Sequence, residues 1–320
     1  MIMNNELIDV VITSRIEQGA GIAVLDLEPV NGVALPSFTA GAHIDVHIGG
    51  ELIRQYSLCN DPANNKSYRI GVLNDPNSRG GSVKIHQEFV QDQQIKISAP
   101  RNHFPLFEGA KKTILAGGGI GITPMMAMAY TLQKNGELFE LHYCTRSKGA
   151  GAFEQELVKE FGEQVIFHCD DEDKSQLFSP KAIFSPVDKN THIYVCGPTG
   201  FMDWVINNAK DMGYPSEQVH FEYFSADVDI SGDSFEVYCD QSDITVTVGA
   251  QESIAIALRK AGIKVSMSCE EGVCGTCITD VLEGIPDHRD LFLTDEEKED
   301  NDQIALCCSR AKGPKLVIDL

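Results

Sequence analysis

Four cysteines in the last third of the chain are spaced for iron–sulfur chemistry. Cys269, Cys274 and Cys277 form a C-x4-C-x2-C loop, and Cys307 follows after 29 intervening residues. Three ligands on one tight loop bring their sulfurs together at a low cost in loop-closure entropy. The distant fourth ligand pins the loop to the rest of its domain. This order is the plant-type pattern of thiolate ligands to a [2Fe–2S] cluster.

The spacing leaves two questions open. A structural zinc site usually pairs two C-x2–4-C knuckles, whereas the second half here offers the adjacent residues Cys307 and Cys308. These two cysteines compete for the fourth ligand position, and spacing does not choose between them. Gly272 and Gly275 let the backbone curl until its N–H groups point at the sulfurs, and such hydrogen bonds help to set the reduction potential of a cluster.

A glycine-rich turn, AGGGIGITPM at residues 116–125, indicates a nucleotide site. Glycines between a strand and a helix let a pyrophosphate approach the backbone, and the helix N-terminus favours its negative charge. The full G-x-G-x-x-G pattern is missing and no acidic residue ends the next strand, so close packing without a ligand is the alternative. Cys196, Gly197 and Pro198 end a later strand, where the same sheet edge would meet a nicotinamide.

A third group of residues suits a ligand with a phosphate group and an aromatic ring. Arg54, Tyr56 and Ser57 lie in the segment RQYSL, and GGS follows at residues 80–82. Arginine can hold a phosphate with two hydrogen bonds, and Ser82 at a helix start can also receive it. Tyr56 could stack on an aromatic ring whose edge Ser57 would hydrogen-bond. The alternative is an ordinary barrel strand with a surface arginine.

Three segments of different patterning must position these residues, and they predict a multidomain β, α/β and α+β protein. Residues 1–107 read as short β-branched strands between Gly, Pro and Asn clusters, with one helix at 82–90, which predicts an antiparallel barrel. Residues 108–225 alternate strands with helices and predict a parallel sheet with ligands at its carboxyl edge. The acidic segment 226–234 suits a linker. Residues 235–320 contain a hairpin, a short amphipathic helix and a closing strand.

The composition excludes several classes of function. The chain has 320 residues, 42% of them hydrophobic and 23% charged, which is inconsistent with a largely disordered protein. Its 26 basic and 47 acidic residues give a formal charge of −21. A chain so acidic is a poor general partner for nucleic acid and is repelled by anionic membranes. Residues 229–320 carry 19 acidic and 8 basic side chains, so the acidity is concentrated where a basic protein partner could dock.

Neither a membrane span nor a secretory signal is recognisable. No stretch approaches the ~18 apolar residues that a span needs, and the segment MIMNNELIDV lacks the basic-then-apolar order of a signal peptide. Ten cysteines without an export signal indicate a reducing compartment. These features predict a cytoplasmic protein.

Nine motifs occur in the order found in the phthalate dioxygenase reductase family. They are RQYSL, GGS, PRNHFPL, AGGGIGITPM, HYCTRS, CGP, FEYF, the cysteine loop and CCSRAKG. The chain resembles this family, which includes vanillate demethylase and carnitine monooxygenase reductase subunits, over essentially its whole length. The resemblance implies an antiparallel flavin-binding β-barrel, a parallel-sheet NAD-binding domain and a C-terminal β-grasp plant-type ferredoxin domain. In this family the flavin is FMN when the ferredoxin domain comes last.

The resemblance also implies residue roles. The residues matching the FMN site are Arg54, Tyr56, Ser57, Leu58, Gly81 and Ser82. Those matching the NAD site are Gly118, Gly119, Gly121, Thr123 and Pro124, together with Cys196, Gly197 and Pro198. Phe224 resembles the aromatic residue near the isoalloxazine ring of relatives. The Cys-x-Ser-Arg motif makes Cys307 the fourth cluster ligand beside Cys269, Cys274 and Cys277.

One segment departs from the family. GVLND at residues 71–75 stands where many relatives carry a basic residue, which puts one flavin contact in doubt but not the flavin. No general acid–base pair is demanded, so His43, His47, His86, His103 and His288 are interpreted as surface or structural residues. Cys59, Cys144, Cys169, Cys196 and Cys239 are interpreted as small buried hydrophobes.

The implied function is that of an NADH-dependent reductase component of a Rieske-type oxygenase. Electrons would pass from NADH to FMN, then to the [2Fe–2S] cluster and to the oxygenase, and the free reductase is expected to be a monomer. Arg146 and Lys148 could hold a 2′-phosphate and argue for NADPH instead. Two other classes stay open: the same cofactors serving another acceptor such as a haem monooxygenase, and a non-enzymatic iron–sulfur redox sensor.

Overall fold

The computed structural model describes residues 7–50, 52–76, 78–171, 173–226 and 228–320. It divides into two compact units, of which the first ends at Glu222 and the second begins at Tyr223. Outside the described residues lie positions 1–6, 51 and 77 of the predicted barrel, position 172 of the predicted NAD domain and position 227 of the predicted linker. No helix within the described ranges is long and apolar enough to cross a bilayer.

The first half of unit 1 is an antiparallel barrel. Its elements are β1 (Ile8–Gln18), β2 (Ile22–Pro29), β3 (Ala42–Gly49), β4 (Leu52–Ser57), β5 (Tyr68–Leu73), α1 (Gly81–Glu88), β6 (Gln94–Ile97) and β7 (Arg101–Asn102). The strand order is β4-β3-β6-β1-β2-β5, with β7 beside β3. A bridge between Leu58 and Ile70 connects the two ends of this order. The predicted barrel with its one helix is confirmed.

The second half of unit 1 is a parallel sheet with helices. Its elements are β8 (Lys112–Gly118), α2 (Ile122–Asn135), β9 (Phe139–Thr145), α3 (Glu154–Phe161), β10 (Val165–Cys169), α4 (Pro180–Ile183), β11 (Thr191–Cys196), α5 (Thr199–Asp211) and β12 (Val219–Glu222). The order β10-β9-β8-β11-β12 is parallel throughout. Eight consecutive residues of α2, Ile122 to Ala129, are buried, so the first two turns of this helix are enclosed on all sides, whereas its last three residues are exposed.

The barrel and the parallel sheet are joined by an ionic group of Arg69 in β5, Asp26 in β2 and Glu156 in α3, which we call the Arg69 clamp. The Arg69 Nε donates to Asp26 Oδ1 of β2 at 2.7 Å, and its Nη1 donates to Glu156 Oε2 of α3 at 3.0 Å. Tyr130 of α2 donates its hydroxyl to Glu156 at 2.8 Å. The Arg69, Asp26 and Glu156 side chains are between 24% and 29% exposed, so solvent screens the pairs only in part.

Removing this clamp is expected to destabilise unit 1. Arg69→Met leaves two half-buried carboxylates without their shared cation, and we expect a loss of about 2 kcal/mol in the free energy of unfolding. A double-mutant cycle with Glu156→Gln, followed by urea denaturation and Trp204 fluorescence, measures the pairwise part. We expect a coupling energy of about 1 kcal/mol.

The exposed pair Lys96–Asp9 is the matched control for that cycle. Its atoms also lie 2.7 Å apart, but its side chains are 55% and 56% exposed. Exposed pairs contribute roughly 0–1 kcal/mol. A coupling at Arg69–Glu156 no larger than at this control would contradict the clamp.

Unit 2 is a mixed parallel and antiparallel β-sheet, and one of the two helices described in it packs against the sheet. Its elements are β13 (Phe235–Cys239), β14 (Ile244–Val248), α6 (Ile254–Lys260), β15 (Ile278–Glu283), β16 (Pro286–Asp287), α7 (Asp295–Asp300), β17 (Gln303–Ala305), β18 (Arg310–Ala311) and β19 (Lys315–Ile318). The main order is β14-β13-β19-β15-β17, and β16 pairs with β18. β13 and β19 are parallel while the β13–β14 hairpin is antiparallel. This is the predicted β-grasp arrangement.

The segment predicted as a linker is held on unit 2 by two arginines. Arg310 Nη1 donates to the carbonyl of Ile230 at 2.7 Å, and its Nη2 donates to the carbonyl of Asp233 at 2.9 Å. Arg289 Nη1 donates to the carbonyl of Ser231 at 2.7 Å. The described residues from 228 to 234 are therefore fixed to unit 2 by hydrogen bonds rather than free in solvent.

Candidate functional site

The four predicted cluster ligands come together at one end of unit 2. Cys269, Cys274 and Cys277 lie on the loop between α6 and β15, and Cys307 follows β17. Each is between 5% and 7% exposed. Hydrogen bonds among the four thiols lower the pKa of Cys269 and Cys277 and raise the pKa of Cys274 and Cys307. The thiolate is the form that binds iron.

The two loop glycines are required by space as well as by backbone conformation. Gly272 and Gly275 both have φ of +71°, which disfavours any residue with a Cβ. A Cβ at Gly272 would lie 2.6 Å from Cys308 Sγ, and one at Gly275 would lie 2.3 Å from the ring of Phe292. The curled loop directs the Glu271 N–H to Cys269 Sγ at 3.4 Å, as the sequence predicts.

The adjacent cysteines have different surroundings. Cys307 interacts through its thiol with both Cys269 and Cys277. Cys308 is 1% exposed and directs its Sγ toward the carbonyl of Ala305 at 3.9 Å and toward the back of Gly272. These contacts favour Cys307 as the fourth ligand and give Cys308 a packing role.

The donor set fits an iron–sulfur cluster. A [2Fe–2S] cluster spreads four thiolates over two irons. Four buried cysteines brought together at one end of unit 2, with a backbone N–H directed at one sulfur, are what such a cluster needs.

Arg54 and the start of α1 form one side of the predicted flavin site. A Cβ on Gly81 would lie 2.6 Å from Cγ of Arg54, so the arginine stem lies directly over this glycine. In the described residues the first turn of α1 carries no side-chain cap, which leaves its N–H groups to an anion. Ser82 Oγ is 2.9 Å from Ser78 Oγ and accepts from the Asp75 N–H at 3.3 Å. Asp75, in the segment that departs from the family, thus directs its backbone N–H at Ser82.

The other predicted flavin residues lie on or next to β4. Tyr56 is half-buried, and burial raises the pKa of its hydroxyl. Ser57 is buried at the end of the strand. Leu58 is fully buried in the barrel core, so its backbone rather than its side chain is what a cofactor could contact. A half-buried ring at the strand end is compatible with stacking on a flavin.

The glycine-rich turn owes part of its composition to packing. A Cβ at Gly121 would lie 2.2 Å from the carbonyl oxygen of Cys196, and one at Gly118 would lie 2.9 Å from the ring of Phe201. Gly119 differs, because its φ is +55° and nothing lies within 4 Å of its Cβ position. A ligand would approach the turn at Gly119, beside the start of α2.

The remaining residues of this predicted site are divided between the turn and the facing strand end. Thr123 is buried and donates to the carbonyl of Ile120 at 2.9 Å, and Pro124 is buried beside it. A Cβ at Gly197 would lie 3.0 Å from Gly118 Cα, and Gly197 leads into Pro198, the residue before α5. Cys196 is fully buried, and burial raises the pKa of its thiol well above the usual range. Phe224 lies in unit 2 and is 37% exposed.

Glu222 is a candidate site residue that the sequence reasoning missed. It pairs in register with Cys196 at the carboxyl edge of the sheet. The residue is half-buried overall, but its Oε2 has no solvent contact and no hydrogen-bond partner among the described residues. Burial raises the pKa of this carboxyl to about 8. The signal was an acidic residue at the end of a parallel strand, beside the motif CGP.

The raised pKa of Glu222 predicts a pH-dependent loss of stability. The folded form holds a proton up to about pH 8, whereas the unfolded carboxyl titrates near ~4.3, so stability falls as pH rises through this window. Glu222→Gln removes the titration and is expected to stabilise the protein at pH 9 by about 2–4 kcal/mol relative to wild type.

Thermal unfolding at several pH values checks this expectation. Wild type and Glu222→Gln should melt at similar temperatures near pH 4.5 and diverge steadily toward pH 9. The exposed Glu163, in a turn of unit 1, provides the control variant Glu163→Gln, which should follow wild type. Parallel curves for wild type and Glu222→Gln would contradict the raised pKa.

Six histidines of unit 1 occur as neighbouring pairs. His43 and His103 have ring centroids 5.5 Å apart, and burial lowers the pKa of both. The hydrogen-bonded pairs are His142–His168 at 3.0 Å and His192–His220 at 2.9 Å.

Of the five cysteines interpreted as hydrophobes, Cys59, Cys169, Cys196 and Cys239 are buried and Cys144 is half-buried.

Comparisons with known proteins agree with this geometry. The family model of the 2Fe-2S iron-sulfur cluster binding domain matches residues 237–312. Vanillate O-demethylase oxidoreductase from Pseudomonas sp. (strain HR199 / DSM 7063) is 46% identical over 317 residues, which cover 98% of this chain and 100% of that protein.

Two solved structures are similar over nearly the whole chain. The structure of phthalate dioxygenase reductase, described as modular for electron transfer from pyridine nucleotides to [2Fe–2S], has a TM-score of 0.75 at 38% identity and 98% coverage of both chains. An intact type IV self-sufficient cytochrome P450 monooxygenase has a TM-score of 0.87 at 35% identity, over 98% of this chain and 41% of the other. The chain therefore belongs to the phthalate dioxygenase reductase family and is an oxidoreductase, with the cofactor set of FMN, NADH and a [2Fe–2S] cluster predicted from its sequence.

Proposed function

We propose that this chain is the reductase component of a two-component Rieske-type oxygenase, a cytoplasmic monomer that takes electrons from NADH and delivers them to a separate oxygenase protein. The observation that carries the proposal is the 46% identity, over 98% of this chain and the full length of the relative, to a vanillate O-demethylase oxidoreductase. The net charge of −21 supports a basic docking face on the oxygenase.

The bound cofactors supply the hydride acceptance and the single-electron transfers, and the chain supplies binding and orientation. We assign FMN to Arg54, Tyr56, Ser57, Leu58, Gly81 and Ser82, with Phe224 as an aromatic neighbour. The open side of Gly119 and the uncapped start of α2 support the NADH assignment to Gly118, Gly119, Gly121, Thr123 and Pro124, with Cys196, Gly197 and Pro198. The cluster is assigned to Cys269, Cys274, Cys277 and Cys307.

The Arg69 clamp supports a fixed relation between the flavin barrel and the nucleotide sheet. Hydride transfer needs the two rings in contact with their reacting atoms aligned, and small misplacements lower the rate steeply. The carboxylates of Asp26 and Glu156 hold one guanidinium from opposite sides of that boundary. The contribution of these contacts to the reaction is therefore one of positioning.

An anaerobic titration of the purified protein with NADH, followed by visible absorbance, tests the proposal. We expect the flavin band and the broad iron–sulfur bands to bleach together. Iron–sulfur bands without flavin, or no response to NADH, would contradict a reductase and favour a redox sensor.

A comparison of NADH with NADPH at matched concentrations tests which nucleotide is used, because Arg146 and Lys148 are exposed beyond the carboxyl end of β9 and could hold a 2′-phosphate. Faster reduction by NADPH would overturn the NADH assignment.

A haem monooxygenase is the second candidate for the electron acceptor. The similarity to a self-sufficient P450, which contains a region of this fold in a longer chain, favours it. Reconstitution with a purified Rieske oxygenase and, separately, with a ferric P450 distinguishes the two. We expect NADH-driven turnover with the oxygenase, and turnover with the P450 alone would support the second candidate.

A further inference from the structure

Asp290 is a buried carboxylate that the assigned cofactor contacts do not use. It lies between β16 and α7, and its side chain is 0% exposed. Its Oδ2 accepts from the N–H groups of Phe292 at 3.2 Å and Leu293 at 2.8 Å. Its Oδ1 accepts from the Ser309 hydroxyl at 3.3 Å. A buried carboxylate is tolerated when its lone pairs are hydrogen-bonded in this way.

These contacts join the two segments that carry the cluster ligands. Ser309 lies two residues after Cys307, on the turn that follows β17. On the other side, a Cβ at Gly272 would lie 3.0 Å from Asp290 Cα and 3.1 Å from its Cβ. The Leu291 N–H donates to the carbonyl of Gly272 at 2.9 Å. Asp290 is thus packed against the C-x4-C-x2-C loop while it is hydrogen-bonded to the turn of the fourth ligand.

Among the described residues, the Asp290 carboxylate forms no ion pair with a lysine or an arginine. Lys298 of α7 donates to the backbone carbonyl of Asp290 at 2.8 Å rather than to its side chain. His288 Nδ1 is 3.8 Å from Asp290 Oδ1, and burial lowers the pKa of this imidazole. A negative charge out of contact with water is weakly screened and opposes the addition of an electron nearby.

We propose that Asp290 is a positioning residue for the [2Fe–2S] site, which fixes the ligand loop at Gly272 against the ligand turn at Ser309 and lowers the reduction potential of the cluster. The inference rests on the proposed function, because it takes the four cysteines as the cluster ligands. It concerns how these ligands are held rather than which residues they are.

Two variants separate the charge of Asp290 from its hydrogen bonds. Asp290→Asn keeps the shape and removes the charge, whereas Ser309→Ala keeps the charge and removes the link to the ligand turn. The measurements are the midpoint potential of the purified holoprotein, from a redox titration followed by electron paramagnetic resonance, and the rate of iron loss to a chelator. Iron and sulfide content and visible circular dichroism show whether each variant retains the cluster.

We expect Asp290→Asn to move the midpoint potential to a more positive value and both variants to lose iron about tenfold faster than wild type. Asp240→Asn, at an exposed residue that follows β13, is the control and should match wild type in both measurements. An unchanged potential in Asp290→Asn with full cluster content would overturn the effect on potential. If Asp290→Asn does not accumulate, an unchanged rate of iron loss in Ser309→Ala would overturn the positioning role.

The wild-type protein separates this inference from the proposed function. If wild type binds no [2Fe–2S] cluster, the reductase assignment fails and the proposal for Asp290 fails with it. If wild type holds a cluster that NADH reduces while Asp290→Asn and Ser309→Ala behave as the control does, the proposal for Asp290 alone is overturned.

Discussion

Cys307→Ala is expected to abolish the [2Fe–2S] cluster, whereas Cys308→Ala at the adjacent position should retain it. The thiol of Cys307 interacts with Cys269 and Cys277, and that of Cys308 packs behind Gly272. Three thiolates leave one iron site incompletely coordinated, so the cluster should be lost during purification. The loss of the buried Cys308 sulfur should cost about 1 kcal/mol of stability.

Iron and labile sulfide content, with visible circular dichroism, distinguish the two variants. Cys307→Ala should retain FMN and its reduction by NADH, because the barrel and the nucleotide turn lie in unit 1. Electron delivery to a one-electron acceptor that depends on the cluster should fall to background. Loss of the cluster in Cys308→Ala with its retention in Cys307→Ala would reverse the assignment of the fourth ligand.

The cluster ligands were the part of the site most readable from sequence, and the reason is chain distance. Three of the four lie within nine residues of one another, so their spacing reports their geometry directly. The choice between Cys307 and Cys308 depends on which side of one turn faces the loop. Spacing carries no such information, and the family resemblance or the contacts at Gly272 must supply it.

The barrel and the parallel sheet were predictable because their strands carry strong periodic patterns. The helix α7 (Asp295–Asp300) was not predicted, since none of its residues is buried and it has no apolar face. Its signal was a capping box, in which Thr294 and Glu297 cap each other's backbone N–H groups. An all-polar helix can be found in sequence from its cap but not from its periodicity.

Glu222 and the arginine contacts escaped prediction for a different reason. The carboxyl of Glu222 is unusual because of burial and not because of a neighbour in sequence. The segment 226–234 is polar and acidic, which is typical of a free linker. Its backbone carbonyls are nevertheless bound by Arg310, which lies more than 70 residues further along the chain. Contacts between such distant residues are set by tertiary packing.

Arg310→Met is expected to give the largest loss of stability in unit 2. Arg310 is 2% exposed and donates to four backbone carbonyls, those of Ile230, Asp233, Gly249 and Glu252. Its guanidinium also lies 5.1 Å from the ring centre of Phe235. Methionine fills similar space but leaves these carbonyls without a donor, and we expect a loss of about 3–5 kcal/mol.

Arg310→Lys tests whether the fork geometry matters beyond the charge. One ammonium carries three donors on a flexible stem and cannot match the planar guanidinium at four carbonyls. We therefore expect the lysine variant to recover less than half of the loss. Arg289→Met is the matched comparison, because Arg289 also donates to the carbonyls of Asp229 and Ser231 but is less buried. Its loss should be about 1–2 kcal/mol.

Two probes on the full-length holoprotein locate the effect. Visible circular dichroism of the cluster reports on unit 2, and Trp204, the single tryptophan of the chain, reports on α5 in unit 1. Arg310→Met should lower the unfolding temperature seen by the cluster by roughly 15 °C or more, at ~4–8 °C per kcal/mol for a domain of this size. The transition seen by Trp204 should move little. Equal shifts in both probes would mean that Arg310 stabilises the whole chain, and no shift in either would show that residues 228–234 need no arginine to stay on unit 2.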